Sequence, residues 1–186
     1  EDIPTYFELD LVAYSNMVFN MEYEASYDDD GIPTSMAVAI NMPPYSLTMS
    51  QSISGSSYNT SLSFKYNEEV IISYNLTYII SSDNEEVVSV SGHYQITPLR
   101  LDGSINVQAM DLCGENDIDC INSNMSLTLI HTELNSVIGN IEVRLYNDVE
   151  YNETYPAPVI VYADETWEWL DDIFEVPAKS FKKIKK

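Results

Sequence analysis

Val70-Ile-Ile-Ser-Tyr-Asn-Leu-Thr-Tyr-Ile-Ile80 decides the reading of this chain. Val70, Ile72, Tyr74, Leu76, Tyr78 and Ile80 fall on one side, with Ser73, Asn75 and Thr77 on the other. A period of two with one polar face is the mark of a half-buried strand. Ser82-Asp-Asn-Glu-Glu86 ends it.

Toward the N-terminus the same alternation recurs. Tyr58, Leu62, Phe64 and Tyr66 pair across Gly55-Ser-Ser with Leu47, Met49 and Ile53 as a hairpin. Met36, Val38, Ile40 and Met42 stop at Pro43-Pro44. Before them come Met17, Phe19, Met21 and Tyr23, and first Phe7, Leu9, Leu11 and Ala13 against Glu8 and Asp10. Toward the C-terminus Val88, Val90, Tyr94 and Ile96 run to Pro98. Leu99, Leu101, Ile105 and Val107 run to a cysteine loop, and Met125, Leu127, Leu129 and then Ile141, Val143, Leu145 follow. About ten strands with short polar links imply an antiparallel sheet with one wet face. Residues 147–163, with two prolines, read as a long connection.

The last stretch has another period. Ala163, Trp167, Leu170, Phe174, Ala178 and Phe181 recur every three or four positions, predicting an amphipathic helix over about 164–186. Asp164 would cap it, Glu165 and Glu168 fill its first turn, lysines crowd its last, and Pro177 breaks it. Trp167 and Leu170 are expected to be buried and Trp169 more exposed. The expected class is α+β, mostly β: one domain, residues 1–186, with a long curved antiparallel sheet wrapped around one C-terminal helix.

Eight Lys and Arg against thirty Asp and Glu give a net charge of −22, which excludes nucleic acid as a partner. Only three basic residues precede position 179, so an acidic body is followed by a tail of five lysines. No apolar run reaches the ~20 residues of a membrane-spanning helix, and no leader precedes Glu1, so a mature, soluble protein with no membrane span is expected. Cys113 and Cys120 bracket a short polar loop and are expected to form a disulfide, which places the chain in an oxidising, extracellular compartment. Sequons at Asn59, Asn75, Asn124 and Asn152 agree with secretion; the first three lie on polar strand faces.

The sequence offers little for catalysis. His93 and His131 are far apart in sequence, and no nucleophile elbow, zinc-helix motif or phosphate-cradling glycine loop is present among six glycines. No pair of carboxylates stands out. Asp28, Asp29 and Asp30, and Glu115, Asn116, Asp117 and Asp119, offer oxygens to calcium but without the spaced loop pattern. The expectation is no enzyme, no metal and no cofactor.

Ser91-Gly-His-Tyr94 and Pro98-Leu-Arg-Leu-Asp-Gly103 resemble the paired strands of the takeout and juvenile-hormone-binding family of secreted insect proteins. Glu165-Thr-Trp-Glu-Trp-Leu170 resembles that family's Trp-bearing terminal helix; the resemblance spans about residues 60–186. It implies a sheet wrapped on a helix and a hydrophobic small-molecule ligand. Val90, Tyr94, Leu101, Trp167, Leu170 and Phe174 would form the wall. Met and Tyr suit such a wall, since Met adapts to irregular shapes and Tyr brings a hydroxyl to an apolar surface. The leading expectation is a secreted, non-catalytic carrier of a lipid or other hydrophobic molecule. The alternative is a structural or storage glycoprotein, compositionally similar to those co-secreted with silk fibroin, that assembles with other secreted chains through its basic C-terminal tail.

Overall fold

The computed structural model describes residues 4–14, 16–81, 83, 86–148 and 153–170. Twelve strands make one sheet in which each pairs antiparallel with the next in chain order. They are β1 (Tyr6–Ala13), β2 (Asn16–Tyr27), β3 (Pro33–Met42), β4 (Tyr45–Ser54), β5 (Ser57–Tyr66), β6 (Glu69–Ile80), β7 (Val87–Ile96), β8 (Leu99–Ile105), β9 (Met125–His131), β10 (Ser136–Asp148), β11 (Glu153–Tyr162) and β12 (Trp167–Trp169). The tight links explain the meander. Gly55 and both Asn67 and Glu68 take positive φ, and Pro43-Pro44 and Thr97-Pro98 close two further hairpins.

Cross-strand register keeps the two faces apart. Phe7, Tyr23, Val38, Met49, Leu62, Tyr74, Tyr94, Leu101 and Leu129 stand opposite one another in a row across nine strands. One position away runs Glu8, Glu22, Ala39, Thr48, Ser63, Ser73, Gln95 and Arg100. Alternation in sequence has thus become one apolar and one polar face.

Among the described residues a core forms at one end. Leu129, Ile141 and Ile160 are buried together on the apolar face of β9–β11, with Leu99, Leu101, Met125, Leu127, Ile138, Tyr162 and Leu170 packed against them. Among the described residues just two more apolar side chains, Ala25 and Val159, are buried.

The structure corrects three expectations. Residues 163–169 are a turn and a strand, not the start of a helix: Tyr162 N–H donates to Thr166 O at 2.9 Å, Glu165 N–H to Tyr162 O at 3.0 Å, and Trp167–Trp169 pairs with Val159–Val161. Thr and Trp favour a pleated surface, and β11 supplies the partner that local periodicity cannot see. Residues 171–186, with Phe174, Pro177 and the lysines, lie outside the described residues.

The connection over 147–163 is largely β11 itself. Pro156 and Pro158 are tolerated there because Tyr162, of the same parity, turns its N–H toward the β12 side. Both missing N–H groups therefore fall on an edge that β12 leaves open.

Val107 belongs to no strand. It opens a short helix, α1 (Val107–Met110), capped by Asn106; α2 (Ile118–Ser123) is capped by Asp117. The expected disulfide joins the two segments, with Cys113 and Cys120 Sγ 2.00 Å apart.

Candidate interaction surface

Among the described residues nothing covers the apolar face over β2–β6. Met36, Met42, Tyr45, Met49 and Tyr66 remain 37–51% exposed, whereas Leu129, Ile141 and Ile160 on the same face at the other end are at most 7% exposed. Tyr45 and Phe64 stack at 5.9 Å, and the Tyr23 and Tyr27 hydroxyls lie 3.3 Å apart. Away from strand ends, the single carboxylate on this face among the described strands is Glu168. It accepts from the Tyr162 hydroxyl at 3.1 Å, and burial, followed by that bond, raises the phenol above its ordinary range.

Charge is carried by the reverse face. Glu8, Glu22 and Glu24 line its first strands, and Tyr6 donates to Glu8 at 2.7 Å, which pushes that exposed phenol up to about 12. Farther along, Arg100 holds Asp102 through two bonds of 2.7 and 2.8 Å. At the far edge Arg144 lies 4.8 Å over the Trp167 ring, Trp167 meets Trp169 edge-on, and Trp169 meets Tyr146 likewise. Sequence reasoning missed this cluster, although its signal was present: Arg144 and Tyr146, like Trp167 and Trp169, are two apart and share a strand face.

The six wall residues separate accordingly. Tyr94 stands directly opposite Leu101 on the apolar face, Val90 lies farther along β7 on that face, and Leu170 joins the buried cluster beside Leu101. Trp167 is on the reverse face and 40% exposed, so it is neither buried nor part of that wall. Phe174 lies outside the described residues. The hollows found on the surface open to solvent; one lies among Met36, Val38, Met49, Thr60 and Tyr74.

Other candidate residues have structural partners. His93 lies between Asn75 and Asp102 in the polar rows, and His131 Nδ1 accepts from Leu134 N–H at 3.3 Å. Asp28 accepts from Asp30 and Ile32 N–H to hold its turn, and Asp117 serves as the α2 cap. Among the described residues no group of three His, Cys, Asp or Glu is placed to hold a metal. Of the sequons, Asn75 is exposed on the reverse face, Asn59 accepts from Thr77 Oγ1 at 2.8 Å, and Asn124 Nδ2 donates to Cys120 O at 3.0 Å. Asn152 lies outside the described residues.

No protein-family profile, no curated protein and no solved structure matches the chain.

Proposed function

We propose that this protein is a secreted, non-catalytic assembly module that joins other protein chains through the apolar face of its sheet. One observation carries the reading: the face is continuous from β1 to β11, nearly free of charge, and left open over β2–β6 by the described residues. Soluble monomers rarely expose apolar patches beyond ~300–600 Å², and larger ones mark interaction sites. The composition fits a protein partner, since interface cores are rich in Tyr, Phe and Met and poor in Lys, Glu and Asp. The Cys113–Cys120 bridge supports an extracellular location.

A small-molecule carrier, which the takeout resemblance implies, needs a pocket that buries about 70–90% of its ligand. An open sheet face serves a broad partner better. Native mass spectrometry of the protein from its natural source, followed by solvent extraction, tests the choice. The expected result is protein-only complexes heavier than the 21.1 kDa chain and its glycans. A single chain carrying a stoichiometric hydrophobic adduct would restore the carrier.

A further inference from the structure

We propose that the partner on this face is a second copy of the same chain, which lays its own β2–β6 face to face on the first across a two-fold axis to form a sandwich. The proposal rests on the assembly reading above and names its partner.

Size is the first argument. Five strands at about 4.8 Å spacing and about ten residues at about 3.4 Å give a face of roughly 24 by 34 Å, or about 800 Å², what each partner contributes to a standard stable interface. An identical five-strand face offers the same outline and the same twist, so the two pack aligned as sandwich sheets do. Self-complementarity is available too. Met36, Met42 and Met49 are unbranched and adaptable, and a two-fold axis along the strands and through β4 would set Met49 over the partner's Met49 and Met42 toward the partner's Tyr66.

Charge is the second argument, because a chain at −22 should repel its copy. The face of β2–β6 carries no carboxylate away from its strand ends; Glu8, Glu22 and Glu24 point out of the other side. In a sandwich with sheets about 10 Å apart, the two reverse faces stand about 20 Å from each other, about two and a half Debye lengths at physiological salt. Repulsion between the bodies is therefore largely screened.

Edges supply the third. Pairing through β1 would bring Glu8 and Asp10 of two copies together, beside Glu22, and Pro156 and Pro158 deny N–H groups to the open edge of β11. β1 and the length of β11 beyond β12 are guarded and the face is not, so the face is the broad surface left for association.

Sedimentation velocity of the pure oxidised 186-residue chain, from about 0.1 to about 100 µM and at about 0.15 and 0.5 M NaCl, should show twice the 21.1 kDa mass at the higher concentrations in both salts. Met49→Lys sets an ammonium in the middle of the face and should weaken the dimer about 30-fold or more, while Ser50→Lys, one residue on and on the reverse face, leaves it unchanged. Peroxide footprinting of the unaltered chain reads the same face should Met49→Lys fail to fold: Met36, Met42 and Met49 should oxidise several-fold more slowly in the dimer than after dilution. A chain that stays monomeric, equal methionine rates, or a dimer broken by Ser50→Lys and not by Met49→Lys overturns the proposal. If the pure chain is monomeric while its natural source yields heavier protein complexes, self-pairing falls and the assembly reading stands. A monomer whose face is covered by an extractable lipid overturns both.

Discussion

Gly92 and Gly103 face each other across β7 and β8 at φ of 136° and 157°. A Cβ on Gly92 would lie 1.9 Å from Asn75 O, and one on Gly103 would lie 1.9 Å from Ser126 O. Both obstacles are main chain and cannot swing aside. Gly92→Ala therefore has to displace β6 as well as adopt an unfavourable φ, and we expect it to cost about 2–4 kcal/mol, read as a lowered urea midpoint with unchanged slope. A midpoint within error of the unaltered chain would show that β6 and β7 part without penalty. Sequence reading marked both glycines as part of a hairpin motif but gave no reason for them. The reason lies in β6 and β9, outside the hairpin, and a local pattern carries no trace of a clash with a third strand.

At the scale of elements, α2 completes the sheet it interrupts. Just before β9 begins, Asn122 takes its place beside β10: Val143 N–H donates to Asn122 Oδ1 at 2.7 Å, and Asn122 Nδ2 donates to Val143 O at 3.0 Å. Asn122→Ala strands two half-buried backbone groups and should cost about 1–3 kcal/mol in denaturant unfolding, and Asn122→Asp, which keeps the acceptor but sets a carboxylate oxygen against Val143 O, should lose as much or more. Midpoints within error of the unaltered chain would remove the two bonds from the account. The turn into β12 has its own signature in pH. Thr166 donates to Asp164 from its side chain and from its N–H, which holds that carboxyl below its usual range. A depressed folded pKa means that the contribution is present above the unfolded value of about 3.9 and is lost as pH falls through the folded one. Tryptophan emission from β12 should therefore change on acidification in the native chain by more than in Asp164→Asn, and identical acid profiles would remove the turn from the account. This is also where local reading failed. Ala163, Trp167 and Leu170 satisfy a helical period, while Trp167 and Trp169 satisfy a strand period, and only pairing with β11 decides between them. Pro156 and Pro158 misled in the same way, because proline argues against a strand until that strand is known to be at an edge.

For the whole molecule, alternation in sequence was enough to give the antiparallel sheet and its two faces, since side-chain period and cross-strand register are one fact seen twice. It was not enough to show how little covers the apolar side. The sequence offered about ten amphipathic strands and a single amphipathic segment to lie against them, and that imbalance was the available signal of an open face. The consequence is a molecule with two zones of stability. Around β9–β11 the chain supplies its own cover through Leu129, Ile141, Ile160, Tyr162 and Leu170; over β2–β6 the described residues supply none, and the proposed second copy would. Local opening is easiest where few buried apolar contacts must break, so amide exchange should distinguish the zones. In the proposed dimer both should exchange slowly. On dilution to monomer the amides of β3, β4 and β5 should speed up by an order of magnitude or more, because about 800 Å² of face returns to water, while those of β9 and β10 hold their rates. Exchange that accelerates evenly across all strands would mean one cooperative unit, and exchange that does not respond to dilution would mean that β2–β6 keeps itself closed without a second chain.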